Sequence, residues 1–509
     1  VKIAALFAFL SITFVPLDDR PVNYQLPQLL GRIAGVSIQA PPKEILGRYL
    51  SPGKPDQIIS WLNSGSRRKA NNYVIASDML AYGGLVASRI PGISYADAEF
   101  RLRELAHLHQ INPRADIGVF GTVMRLAPTG VPAIGEGTNF FAAYPVWKYL
   151  QQYANLHDPP LPAEEATAAH LVTMIGPATL QAYLETRARN LAIDRRIVAL
   201  LADGTIARAA LGQDDAGPVG LHIKEVAALQ DDVRAANVTD RMSLEPGADE
   251  LGMAMVARAM AQQIHWTPHV AVHYSTPSGA LYNDPLEFAP IGTAIDGLVR
   301  LCGGVKDDQR PDITLFVRVP HSSAANDAQL LGDIQAAVAE HHPALIADLT
   351  FLENSFVSQA AFAKTLLESG VASRLDAYSS WNTNANTVGT ALAEGIAAAV
   401  GRRAHRYDAL AHAEFTFNRF VDDYAFHDFV RPDLNTWLDQ QGTSDHTYLL
   451  KSVASAAGDR NTSLLWNRAE ALLHDLYPQY HIAAIRVSLP WDRTFETQLD
   501  VALAPGLPR

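Results

Sequence analysis

Short, continuous apolar runs separated by helical patterns recur through the first 380 residues, and this repetition restricts the fold more than any other feature of the chain. The runs span residues 12–16, 36–40, 73–78, 116–122, 207–213, 269–274, 313–319, 344–348 and 375–378. Most are apolar throughout rather than alternating, as in strands covered on both faces. Strand, helix, strand repetition gives a parallel sheet, because parallel neighbours need a crossover connection. The expected fold class is therefore α/β, with a (β/α) TIM-barrel-like parallel sheet as the favoured arrangement. Polar segments follow the runs, among them "PLDDR", "ASDMLAYGG", "GTVMRLAP", "GQDDAGP" and "AYSSWNTNAN". A barrel brings many such strand ends around one cavity. Nine runs exceed the eight strands of a barrel, so an extra strand or a second lobe is expected. No internal repeat is visible in the residues.

Residues 1–404 read as the barrel-like catalytic domain, with a helical insertion at 145–201. The stretch 126–144 is rich in Gly and Pro and reads as a long loop. From 405 to 509 the pattern changes to amphipathic helices, closed by terminal strands around Pro490-Trp491.

Composition excludes several classes. A chain that is 48% hydrophobic and 18% charged suits a globular protein. The net charge of -12 argues against a nucleic-acid groove, which needs clustered Lys and Arg. Cys302 is the only cysteine, which excludes an intramolecular disulfide and a cysteine metal cage, and it reads as a buried structural residue. Lys2 and the apolar run 3–10 resemble a short secretory signal core without a clear cleavage site, so exported (periplasmic) and cytoplasmic placements both stay open. No segment has the length to span a membrane, and no membrane partner is expected. The sequence leaves the oligomeric state open.

The chain has no P-loop, no HExxH, no serine-hydrolase elbow and no glycine-rich dinucleotide fingerprint after the first run. No cofactor is expected. His265, His269 and His273, and likewise His107 and His109, lack a convincing third ligand, so no metal site is assigned to them. What remains is acids at strand ends. Asp214 and Asp215 stand where a strand stops and Gly217-Pro218 turns the chain. Two close carboxylates repel, so one tends to keep its proton and can act as an acid. The structural alternative is that Asp215 caps a helix while Asp214 pairs with a basic residue. Asp249 and Glu250 open a helix, where acids also complement the dipole. Asp18, Asp19 and Arg20 follow the first run, and the arginine suits carboxylates held ionised. Asp78 and Tyr82 precede Gly83-Gly84, which suits either a close ligand or a tight turn. Arg125 would complement the acids. Tyr378, Trp381 and Asn382 offer rings to stack on and amides for hydroxyls, as sugar sites do. Glu353-Asn354 adds a further acid and amide.

Six segments, "PLDDRPVN", "SDMLAYGGLVASR", "GQDDAGP", "PGADELG", "AYSSWNTNANTVG" and "LPWDRTFE", occur in an order that resembles the bacterial family called domain of unknown function 4127. The resemblance runs from residue 12 to about 500. This chain has Ser379-Ser380 before Trp381-Asn382, where the family usually has a small residue and glycine. The family brings no secure activity. It implies that the acid-rich strand ends form a shared site, which favours a joint role for Asp214 and Asp215.

The resulting expectation is a glycoside hydrolase-like enzyme acting on a carbohydrate, with a 2-acetamido sugar as the specific form. Asp215 would be the general acid/base and Asp214 the orienting residue. Asp18, Asp19, Arg20, Asp78, Tyr82, Arg125, Asp249, Glu250, Tyr378, Trp381 and Asn382 would bind the substrate. Two readings compete. One is a metal-dependent hydrolase or lyase with Asp18, Asp78 or Asp348 as ligands; the other is a non-catalytic carbohydrate-binding protein.

Overall fold

A computed structural model of the chain describes residues 11–129, 146–350 and 361–506. The N-terminal apolar run 3–10, residues 130–144 of the Gly/Pro-rich stretch, and Glu353-Asn354 lie outside the described residues. The first sheet contains β1 (Ser11–Val15), β2 (Ser37–Gln39), β3 (Asn72–Ala76), β4 (Asp116–Val123), β5 (Arg208–Gln213) and β6 (Met242–Pro246). The second contains β7 (His269–Tyr274), β8 (Val305–Lys306), β9 (Ile313–Arg318), β10 (Ala344–Asp348) and β11 (Ala377–Ser379). Strands β12 (Tyr480–Ser488) and β13 (Gln498–Pro505) form a separate antiparallel ribbon.

The fold is α/β with parallel sheets, but the barrel-like closure is not shown. The first sheet runs β2-β1-β3-β4-β5-β6 and the second runs β11-β10-β9-β7-β8, with parallel neighbours in both. Read from β8, the second sheet repeats the order of the first: second strand, first, third, fourth, fifth. The half-to-half repetition, invisible in the residues, is thus present in the topology. Each half places its second strand on one side of the first and its third on the other, so each sheet is open with a switch point where the order reverses. Edge strands β6 and β7's neighbour β8 do not pair, and neither do β2 and β11.

Helices join the two sheets. Asn384–Arg403 is buried on every side from Asn384 to Gly401, as an Ala- and Gly-rich helix surrounded by others must be. It packs against the helices Pro21–Ala34, Leu251–Gln263 and Ile291–Leu301. Gly389 permits this closeness, since a Cβ there would lie 2.5 Å from Cγ of Glu250. One core therefore runs from Phe14, Ile75 and Phe120 of the first sheet through Leu392 to Leu315 and Leu345 of the second. Cys302 is buried in it.

Within the span 145–201 the described chain forms the helices Val146–Ala154, Glu165–Ile175 and Pro177–Ala202, with a small core around Leu150, Leu171 and Tyr183. Beyond 405, helical segments surround a second core of Phe417, Phe420, Phe426 and Leu473, and the ribbon packs on it through Leu499 and Leu503. Among the described residues no helix is long and apolar enough to cross a membrane.

Candidate functional site at the strand ends

Leaving β1, the chain reaches Asp18, Asp19 and Arg20 before Pro21 opens the next helix at a position where its missing N–H costs nothing. Asp18 accepts hydrogen bonds from the Arg20 backbone N–H at 3.0 Å, Arg20 Nε at 3.0 Å and Nη2 at 2.7 Å. The same guanidinium reaches Asp249, just past β6, with 2.8 Å from Nη1 to Oδ2 and 2.5 Å from Nη2 to Oδ1. Asn23 Nδ2 donates to both carboxylates at 3.0 Å. Burial pushes the Asp249 carboxyl up, but the Arg20 charge and these hydrogen bonds outweigh it and hold it below the usual range. Asp19 turns the other way and accepts a hydrogen bond from Trp491 Nε1 at 2.7 Å. Burial raises its pKa. The Arg20 guanidinium lies 4.6 Å from the Trp491 ring centre, so "LPWDR" of the C-terminal part closes on "PLDDR".

Beyond β3, Asp78 is buried and accepts hydrogen bonds from the Thr122 N–H at 3.0 Å and the Thr122 hydroxyl at 3.3 Å, which ties β3 to β4. Burial pushes its carboxyl up to about 6. Gly83 and Gly84 have φ of 92° and 125°. Gly83 serves the chain rather than a ligand: a Cβ there would lie 2.8 Å from the Gly53 nitrogen.

Two arginines distant in the chain meet the second Asp-Asp pair, and Asp214 pairs with a basic residue as the structural alternative has it. Arg89 forms a buried ion pair with Asp214, 125 residues away, and Arg125 Nη1 donates to Asp215 at 3.2 Å across 90 residues. Thr129 Oγ1 accepts from both arginines at 3.3 Å, which holds the two forks side by side. Asp215 takes φ of 31°, so its side chain leaves the line of the strand and is 36% exposed while Asp214 stays buried. Burial raises the Asp214 carboxyl, with Arg89 opposing and Asp215 adding to the rise.

Two acids that sequence reasoning missed back onto this turn. The Ala216 N–H donates to the Leu286 carbonyl at 3.1 Å, placing "QDDAGP" against "NDPLEF" of the loop after β7. In that loop burial pushes Asp284 up to about 6 and Glu287 up to about 8, with the Asp215 charge adding to both. Glu287 Oε1 accepts the Ala385 N–H at 2.6 Å, at the start of the central helix. The available signal was two acids in a loop just after a strand of the second half. Glu250, fully buried and raised well above the usual range by that burial, accepts Asn386 Nδ2 at 2.5 Å. Asn386 Oδ1 in turn accepts from Asn382 Nδ2 at 2.7 Å.

The structure thus brings Asp18, Arg20, Asp78, Arg125, Asp214, Asp215, Asp249, Glu250 and Asn382 around the carboxyl ends of the strands, with Asp19 at the margin. Three aromatic residues expected to hold substrate are placed elsewhere. Trp381 is buried in the main core, its Nε1 donating to Thr390 Oγ1 at 3.1 Å. Tyr378 stacks on Phe420 at 4.1 Å in the second core. Tyr82 is buried under Arg189, 4.5 Å from its ring centre. A ring buried in this way has no free face to offer a sugar. His269 and His273 pair with Asp307 and Asp333 instead of converging, and among the described residues no group of three His, Cys, Asp or Glu side chains is arranged to hold a metal ion.

No curated protein and no solved structure matches the chain. One family model does, over residues 12–500, which include every strand-end residue of this cluster. The chain belongs to the family described as Protein of unknown function (DUF4127).

Proposed function

We propose that the chain is a glycoside hydrolase-like enzyme acting on a carbohydrate, at the strand-end cluster where the two sheets meet. The observation that carries this reading is the contrast between Asp215, a partly exposed carboxylate braced by Arg125, and the buried acids behind it, Asp284 and Glu287. Carboxyl groups whose surroundings drive their proton affinities apart are the usual basis of paired acid and base roles. Asp215 meets the substrate as general acid/base, and Glu287, pushed up to about 8, keeps a protonated carboxyl beneath it near neutral pH. Asp214, locked by Arg89, orients the substrate. Asp18, Arg20 and Asp249 hold one another through their hydrogen bonds and form a rigid, polar wall. A 2-acetamido sugar is the specific substrate to try first, because adjacent acids suit a reaction in which the acetamido group itself attacks. The test is turnover of a panel of aryl glycosides, N-acetylhexosaminides included, by the wild type and by Asp214→Asn and Asp215→Asn.

A further inference from the structure

A cavity of about 490 Å³ lies between the helix Lys451–Leu476, the β12–β13 ribbon and the N-terminal residues Asp19, Lys43 and Arg48. That volume falls within the range of small-molecule sites, about 300–1,000 Å³. Ser455, Asp459 and Thr462 reach it from one face of the helix, four and three residues apart. Ser488 and Gln498 reach it from the ribbon. The hydroxyls and the Asp459 carboxylate supply both donors and acceptors, which suits a polyol better than an apolar ligand, while the Gln498 amide is held by Lys43 and Asp500. An anion is disfavoured by the charges. Lys43 already donates to Gln498 at 3.1 Å, and Arg48 lies 4.0 Å from Asp19 and 3.6 Å from Asp492. Two cations therefore face Asp19, Asp459 and Asp492, with no positive charge to spare.

Trp491 is the shared wall. It lines the cavity, donates to Asp19, and carries Arg20 of the strand-end cluster against its ring. From this geometry we infer that the cavity is a second subsite for an uncharged sugar unit, so that the substrate is an oligosaccharide spanning the cavity and the strand-end cluster. This rests on the carbohydrate reading given above.

Calorimetry with tri-N-acetylchitotriose and with N-acetylglucosamine tests it on the full chain, beside turnover of an aryl N-acetylhexosaminide. The wild type binds the trisaccharide more tightly than the monosaccharide. Ser455→Trp, which fills the cavity from its exposed rim, weakens the trisaccharide by about tenfold or more and leaves aryl-glycoside turnover unchanged. Asp459→Asn, which keeps the volume, shifts binding the same way by less and carries the test if the tryptophan variant fails to fold. Unchanged trisaccharide binding in the variants, or equal or absent binding of the two sugars by the wild type, overturns the subsite. Normal turnover with unchanged trisaccharide binding removes the subsite alone. Trisaccharide binding lost in Ser455→Trp, with no wild-type turnover of any glycoside, supports the subsite and removes the hydrolase.

Discussion

Arg20 grips Asp249 through two parallel hydrogen bonds, 2.8 Å and 2.5 Å long, although 229 residues separate them. The same fork holds Asp18, so one cation fastens the first strand end to the sixth in a buried setting. Arg20→Leu leaves two buried carboxylates without their cation and is expected to destabilise the fold by about 3–5 kcal/mol. The measurement is the urea midpoint at unchanged slope. Arg20→Lys keeps the charge but not the planar fork and recovers only part of the loss. An Arg20→Leu variant as stable as the wild type contradicts the account of the triplet as a rigid wall.

Gly389 sets the distance between the central helix and the acid cluster. Gly→Ala inside a helix ordinarily stabilises by about 1 kcal/mol. Here the added Cβ would lie 2.5 Å from Cγ and 2.6 Å from Cβ of Glu250, so overpacking, worth about 1–3 kcal/mol, decides the sign. Gly389→Ala is expected to lower the melting temperature. A rise would mean the helix has room to move away.

Glu287 gives the fold a pH dependence of definite sign. Burial raises its carboxyl from an ordinary 4.5 to about 8, so the folded state binds the proton more tightly than the unfolded one. The stability it contributes is full below about pH 4.5 and is lost as pH rises through 8. Asp249, held below 3.8, contributes in the opposite sense, and its share is lost only as pH falls through its lowered value. Glu287→Gln keeps an acceptor for the Ala385 N–H and carries no charge. Urea unfolding at pH 5, 7 and 9 should show the variant losing less stability than the wild type across that range. An unchanged slope would mean that Glu287 is not the titrating group.

The residues announce the strands of both sheets well, because strands buried on two faces must be apolar throughout. Strand β6, "MSLEP", escaped because Ser243 and Glu245 interrupt it; Glu245 is buried, with its carboxyl pushed up to about 8. Strand β8 has only two residues. Division into two open sheets was not legible, since strand order is decided by how crossover helices pack and not by what each strand contains. The acids of the site were legible as strand-end residues. Arg125 was legible as a complement to them, but the pairings were not: Arg89 meets Asp214 across 125 residues and Arg125 meets Asp215 across 90. Trp381 misled for the same reason. Its neighbours in the chain are amides, but its neighbours in space are Thr390 and the main core. Asp284 and Glu287 matter only because their loop meets the Asp215 turn through Ala216 and Leu286.

The central claim is that Asp215 performs chemistry on a sugar. Steady-state turnover of aryl glycosides by the wild type, Asp214→Asn and Asp215→Asn measures this most directly, with circular dichroism confirming that each variant is folded. The account predicts hydrolysis of at least one glycoside by the wild type and a loss in kcat of about 100-fold or more in Asp215→Asn, the scale of a removed acid–base group. Asp214→Asn should also lose activity, since the amide no longer pairs as a charge with Arg89. No hydrolysis of any glycoside by the folded wild type, or full activity in Asp215→Asn, would contradict it.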